Sequence, residues 1–187
     1  DGVNVTNDIQ VYEDNIYILG GNIDKNNQLR NLIWKFDMSY NLVEEIDLNY
    51  SQGAYMRFYI KDDAIYLTKN SQGLTGKNEP KGSNKLLKYD LNTKNNELIT
   101  LNYAYPLNIY PDGDNLIVEH YSLYVPNYTW TILDTKNNIQ KIIYFNDRPK
   151  NEDKPPFFNQ DKMNYYFLFY DKLYIYDKKT LEEKVYN

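Results

Sequence analysis

Four times in this chain an apolar strand ends on an aspartate, turns through polar residues, and is followed by a second short strand. The copies are 31–48 (NLIWKFDMSYNLVEEIDL), 84–101 (NKLLKYDLNTKNNELITL), 128–145 (YTWTILDTKNNIQKIIYF) and 172–186 (KLYIYDKKTLEEKVY). The aspartates are Asp37, Asp90, Asp134 and Asp177. A large apolar or aromatic residue stands just before each: Phe36, Tyr89, Leu133 and Tyr176. Ile33, Leu86, Trp130 and Leu173 hold the position four residues earlier. Turn chemistry explains the acid, because its carboxylate accepts bonds from backbone N–H groups just ahead while the chain reverses. The Asn, Lys, Ser and Thr that follow suit a solvated hairpin loop.

A second hairpin precedes each copy. Its first strands are Ile9–Tyr12, Tyr55–Ile60, Leu107–Tyr110 and Phe157–Asn159, each followed by a polar turn and another apolar strand. Ile16, Ile65, Leu116 and Tyr165 mark the second strands, at spacings of 49, 51 and 49 residues. The aspartates are spaced less evenly, at 53, 44 and 43, because the loop inside each repeat varies. Two hairpins per repeat make four strands. Four strands in a period of ~40–50 residues predict propeller blades. The repeats fall at approximately 1–49, 50–102, 103–149 and 150–187.

Asp112–Gly113 and Asp62–Asp63 lead into apolar strands, and Tyr89-Asp90-Leu91-Asn92-Thr93 and Tyr176-Asp177-Lys178-Lys179-Thr180 end later ones. In these features the chain resembles bacterial β-propeller repeat proteins, whose blades carry a D-G or D-D turn and a Y-D-x-x-T pattern. The resemblance covers nearly the whole chain and implies an architecture without an activity, since a fold hosts many functions. The Trp-Asp signature of one propeller class is missing, and so is a doubled glycine in the place another class requires. The expected fold is all-β, with four four-stranded antiparallel blades forming part of a larger propeller. A complete four-bladed ring is the alternative, four being the smallest number that propellers use. No cysteine is present to tie the ends and each terminal repeat owns its four strands, so the terminal blades are expected to meet further repeats or a partner chain.

Composition excludes several chemistries. Lys+Arg 21 against Asp+Glu 26 leaves a net charge of −5. The charges are interspersed, so no nucleic-acid surface is expected. With no cysteine and one histidine, His120, a thiolate metal site is impossible and a transition-metal site would need carboxylates almost alone. No metal or cofactor is expected. His120 reads as a strand residue. The Lys69–Asn84 insertion contains Gly76–Lys77, but the residue that follows is Asn78, so it is not a phosphate loop. Asp112 and Asp114 flank Gly113 as at the start of a calcium loop, yet Leu116 opens a strand, so a β-turn is expected. No apolar run reaches the ~18 residues of a membrane span.

A non-catalytic binding or scaffold module fits these readings, in a protein that is exported, surface-attached or part of the cell envelope. A protein or carbohydrate ligand suits a chain with 21 tyrosines and 16% aromatic residues. The competing functions are a propeller-fold enzyme acting on polysaccharide, a lyase or glycoside hydrolase, and a structural segment of a larger assembly. Such an enzyme needs converging carboxylates or a Tyr/His/Arg set. No catalytic residue is assigned. The expected binding residues are Leu74, Lys77 and Glu79 in the long insertion, and Tyr124, Tyr128 and Trp130 at the Ser122–Asn127 loop. For the tyrosines, packing between blades is the competing role.

Overall fold

A computed structural model of the protein describes residues 3–23, 26, 29–50, 54–69, 83–120, 127–149 and 156–187. Among these residues, sixteen strands form four antiparallel sheets, each pairing its strands in chain order. The first sheet comprises β1 (Val3–Tyr12), β2 (Asn15–Ile23), β3 (Leu29–Asp37) and β4 (Leu42–Tyr50). The second comprises β5 (Tyr55–Lys61), β6 (Ala64–Lys69), β7 (Lys85–Asp90) and β8 (Asn96–Thr100). The third comprises β9 (Pro106–Asp112), β10 (Asn115–His120), β11 (Asn127–Asp134) and β12 (Gln140–Pro149). The fourth comprises β13 (Phe157–Gln160), β14 (Asn164–Leu168), β15 (Leu173–Asp177) and β16 (Glu183–Tyr186). The four segments expected innermost all lie on the first strand of a sheet. No helix long and apolar enough to cross a membrane occurs among the described residues.

The turns follow the aspartates. Asp90 accepts hydrogen bonds from the backbone N–H groups of Asn92 (3.0 Å) and Thr93 (2.7 Å). Asp134 accepts from Lys136 (2.9 Å) and Asn137 (3.0 Å), Asp37 from Ser39 (2.8 Å) and Asn41 (2.9 Å), and Asp177 from Lys179 (2.9 Å) and Thr180 (2.8 Å). Each turn closes through a residue at positive φ: Tyr40, Lys94, Asn138 and Leu181. The β1–β2 and β5–β6 hairpins have both central residues at positive φ, Glu13–Asp14 and Asp62–Asp63, the geometry that matches strand twist. Gly113 turns the β9–β10 hairpin at φ 57.

Bonds donated to the carboxylates hold all four turn aspartates below the usual carboxylate range. A depressed folded-state pKa contributes stability above the unfolded pKa, and that contribution is lost as pH falls through the folded value. Asp90→Ala and Asp134→Ala are each expected to lower Tm by about 2–4 °C at neutral pH. The deficit relative to the parent should shrink as pH falls below the usual carboxylate range and vanish once the parent carboxylates are protonated in the folded state too. Melting curves across pH check this, and a deficit that persists unchanged in acid would remove the carboxylates from the explanation.

Consecutive sheets stack through three apolar clusters. Tyr17, Leu19, Ile33 and Ile46 of the first sheet meet Phe58, Ile65, Leu67 and Tyr89 of the second. Ala64, Tyr66, Leu86 and Ile99 on the second sheet's other face meet Leu116, Val118 and Leu133 of the third. Ile117, Trp130, Ile143 and Phe145 on the third sheet's other face meet Tyr165, Phe167, Tyr174 and Tyr176 of the fourth. The two middle sheets are thus buried on both faces, which is why β6, β10 and β11 are buried along nearly their whole length. Each fully buried side chain contributes roughly 1.5–3 kcal/mol.

Polar side chains join neighbouring first strands. From β1, Asn7 Nδ2 donates to Tyr55 O (2.7 Å), Asp8 Oδ2 accepts from Phe58 N (3.1 Å), and Gln10 Oε1 accepts from Ile60 N (3.2 Å). These side chains occupy the edge of β5 where a further strand would otherwise pair, so its backbone groups are satisfied and its edge is covered. Thr68 Oγ1 donates to Leu107 O (2.7 Å) between the second and third sheets. The ring does not close at four: the first and fourth sheets share neither an apolar cluster nor a hydrogen bond among the described residues.

Candidate binding cleft between the third and fourth sheets

A cavity of about 470 Å³ opens between the third and fourth sheets, at the end where β9 turns into β10. Asp112, Asn115, Asp134, Lys141, Tyr165 and Lys178 line it, with Ile132 and Ile139 as the apolar wall. The hairpin turns place these groups. Asp112 and Asn115 bracket Gly113, Asp134 begins the β11–β12 turn, and Lys178 follows Asp177 in the β15–β16 turn.

The charges in the cleft are unequally engaged. Lys178 Nζ bonds Asp112 Oδ1 and Gln160 Oε1 (2.7 Å), and sits 4.9 Å from the centre of the Tyr165 ring. The Tyr165 hydroxyl donates to Asp112 Oδ2. Burial, then the bond to the Asp112 carboxylate and its charge, push the Tyr165 hydroxyl well above the usual phenol range, so it stays protonated as a donor. Asp134 is committed to its turn. Among the described residues, the Lys141 ammonium and the Asn115 amide have no hydrogen-bond or ion-pair partner. The cleft therefore offers one cation, one amide and an apolar wall to an incoming molecule, while its carboxylates are already neutralised or bonded.

A second polar group lies deeper between the same sheets. Glu119 is 6% exposed and accepts from Asn108 Nδ2 (2.6 Å) and the Tyr110 hydroxyl (3.3 Å). Burial raises its carboxyl pKa against those two bonds, and burial also raises the Tyr110 hydroxyl. His120 points to the other face. Its Nδ1 is 2.8 Å from Ala104 O and its Nε2 is 2.7 Å from Thr131 Oγ1. A carbonyl can only accept, so Nδ1 carries the proton and Nε2 accepts from the threonine. No group of three or more potential metal-ligating side chains occurs among the described residues.

Of the residues expected to bind, Leu74, Lys77, Glu79 and Tyr124 lie outside the described residues. Tyr128 is 3% exposed and Trp130 1%. Both pack in the core between the third and fourth sheets, Trp130 against Tyr110, Phe158 and Phe167. Their rings face the neighbouring sheet because Tyr128, Trp130 and Ile132 alternate along β11 on the face turned to the fourth sheet. The cleft residues escaped the sequence reading because three separate turns bring them together. The one local signal was that Lys178 directly follows the turn aspartate Asp177.

No protein-family model matches the chain, and no curated protein matches it by sequence. Solved structures do match, and they are propeller-like folds. The acylaminoacyl peptidase of Pyrococcus horikoshii aligns with 99% of this chain and 32% of its own, at a TM-score of 0.64 and 11% identity. The extracellular domain of the one-component system BT4673 from B. thetaiotaomicron aligns with 97% of this chain and 30% of its own, at 0.56 and 13%. A variant of the Synechocystis apocarotenoid oxygenase aligns with 92% of this chain and 46% of its own, at 0.51 and 8%. The chain thus spans about a third to a half of the length of these structures. At such identities the likeness concerns the fold: this is an all-β, propeller-like repeat protein whose four sheets follow part of a longer arc.

Proposed function

We propose that the chain is a non-catalytic binding module of a bacterial, exported or surface-attached propeller protein, and that its four repeats act as one unit holding a small carbohydrate ligand in the cleft between the third and fourth sheets. The observation that carries this reading is the cleft itself. Its volume lies in the range of small-ligand sites, ~300–1,000 Å³, and a few polar groups stand over an apolar wall. A sugar ring offers the matching chemistry, with an apolar face for Ile132 and Ile139 and hydroxyls or a carboxylate for Asn115 and Lys141. One of the structural neighbours is an extracellular domain, which supports the envelope location.

The two carboxylates of the cleft do not favour a hydrolase. A glycosidase acid needs a raised pKa, whereas donors from its own turn hold Asp134 below the usual range and Asp112 already bonds a phenol and an ammonium.

Isothermal titration against neutral and uronate-bearing oligosaccharides tests the proposal. Binding is expected with the acidic sugars, weakened at least about tenfold by Lys141→Met and by Asn115→Ala, because each removes a bond realised only with ligand. Both side chains stand at the cleft surface, so the melting temperature should hold. No binding, or binding that neither substitution changes, would overturn the assignment of the cleft.

A further inference from the structure

The cleft is a junction between sheets whose closing ion pair is missing. At one ladder position the fourth strands carry Glu44, Glu97, Lys141 and Lys184, opposite Lys35, Lys88, Ile132 and Ile175 on the third strands. In the second, third and fourth sheets, Lys94, Asn138 and Leu181 stand four residues after the turn aspartate, each at positive φ. Between the first and second sheets these two positions meet, and Lys94 Nζ bonds Glu44 Oε1 at 2.7 Å. Between the third and fourth sheets both are changed. Lys141 stands where Glu44 does, and Leu181 stands where Lys94 does and packs against the apolar cluster of that junction. We infer that the cleft takes its ligand by one singly charged oxyanion, a carboxylate or a sulfate ester on the sugar, and that Lys141 sets this selectivity. The anion takes the place that the Lys94 ammonium holds at the first junction, with the sign of both partners reversed. This rests on the reading of the cleft as a carbohydrate site and adds the class of sugar.

The charges of the lining carry the inference. Two ammonium groups and two carboxylates face the cleft. Lys178 is committed to Asp112, in an ion pair whose side chains are only 17% and 10% exposed. Asp134 keeps its charge, because the N–H donors of its own turn and the Asn137 amide bond its carboxylate. Lys141 is exposed and has no hydrogen-bond or ion-pair partner among the described residues. In the second sheet the same ladder position is answered across the strand, where Lys88 meets Glu97 at 3.4 Å. Ile132, opposite Lys141, has no charge to offer. One ammonium therefore stands beside an apolar wall with its donors unused, and a charge-assisted bond to an oxyanion is the interaction it can make.

The same lining discriminates against other charge states. A dianion such as a phosphate monoester gains one ammonium and brings its second charge toward the carboxylates of Asp112 and Asp134. A cation meets Lys141 and finds both carboxylates already bonded. A neutral sugar uses Asn115 and the wall of Ile132 and Ile139, and leaves Lys141 in water. A single negative charge is what the unused groups of the cleft can satisfy.

Titration calorimetry with one disaccharide in four forms tests this: neutral, uronate-bearing, 6-sulfated and 6-phosphorylated. The uronate form, the sulfated form or both should bind at least about tenfold tighter than the neutral form, and the tighter of the two names the source of the charge. The phosphorylated form should bind no tighter than either. Lys141→Met should bring the acidic and neutral forms together, and Lys141→Glu should reverse their order. Equal binding of neutral and acidic forms, or tightest binding of the phosphate, overturns the inference. If Asn115→Ala still weakens that binding, the cleft remains a sugar site and only its selectivity for charge falls. If no form binds, both fall. A second measurement needs no ligand. Lys94 already stands at φ 62, so Leu181→Lys, at φ 59, is accepted by the backbone. Lys141→Glu combined with Leu181→Lys should rebuild the ion pair of the first junction. Its melting temperature should exceed the sum of the single effects by about 1–2 °C, and sugar binding should be lost. Strict additivity would show that the two positions do not face each other, and would overturn the place assigned to the anion.

Discussion

The protein is expected to lose about 3 kcal/mol of stability as the pH falls from about 6.5 to about 4, through its single histidine. His120 is buried to 1% exposure, and desolvation depresses its pKa from the ordinary 6.5 to about 4, only partly offset by its bond to Ala104 O. The surroundings cannot welcome a second proton. Nδ1–H already donates to a carbonyl, Nε2 takes the Thr131 hydroxyl, and the Tyr103 ring lies edge-on at 5.9 Å. The sign follows from linkage. In this window the unfolded chain binds a proton that the folded chain refuses, so stability is complete above the unfolded pKa and is lost as pH falls through the folded one. Glu119 works in the opposite direction. Its raised pKa lets the folded state take a proton earlier than the unfolded state, which offsets part of the loss.

Urea unfolding at several pH values gives the slope, and His120→Gln, which retains one donor and one acceptor, should remove the loss and leave the opposite slope of Glu119. A loss of stability toward pH 4 that survives in this variant would assign the acid sensitivity elsewhere. The one imidazole resonance in the spectrum supplies an independent readout: its titration midpoint in the folded state should lie near pH 4.

Replacing Trp130 by alanine should cost about 3–5 kcal/mol, the range for emptying the site of a large buried aromatic. The indole is 1% exposed and touches rings from both sheets: Tyr110 at 5.6 Å, Phe158 at 4.7 Å and Phe167 at 5.0 Å between centroids. Phe167 in turn meets Phe145 at 5.1 Å, and Phe145 meets Tyr174 at 5.1 Å, so the loss propagates through the junction of the third and fourth sheets. The expected result is a lower denaturation midpoint together with exposure of the fourth sheet to proteolysis. Trp130→Phe should retain most of the stability, since it keeps a ring in place. Weakened ligand binding with an unchanged midpoint in Trp130→Ala would instead return this residue to a contact role.

Local chemistry was legible in the sequence and assembly was not. An aspartate that caps its own turn needs only the next few residues, so Asp37, Asp90, Asp134 and Asp177 announced their hairpins wherever the chain placed them. The even spacing of Ile16, Ile65, Leu116 and Tyr165 announced four sheets for the same reason, because a repeat of sequence is a repeat of local structure. Which face of each sheet meets which neighbour is a property of no single repeat. In β11, Thr129 and Thr131 alternate with Tyr128, Trp130 and Ile132 and both sets are buried, so alternation in the sequence does not tell a core face from a solvent face here. The cleft depends on Asp112, Lys141 and Lys178 arriving from three turns, and the covered edge of β5 on side chains about 50 positions earlier in β1. Closure was decided last of all. The angle between stacked sheets is set by how their side chains interdigitate, and here it leaves four sheets short of a ring, with an apolar face at each end.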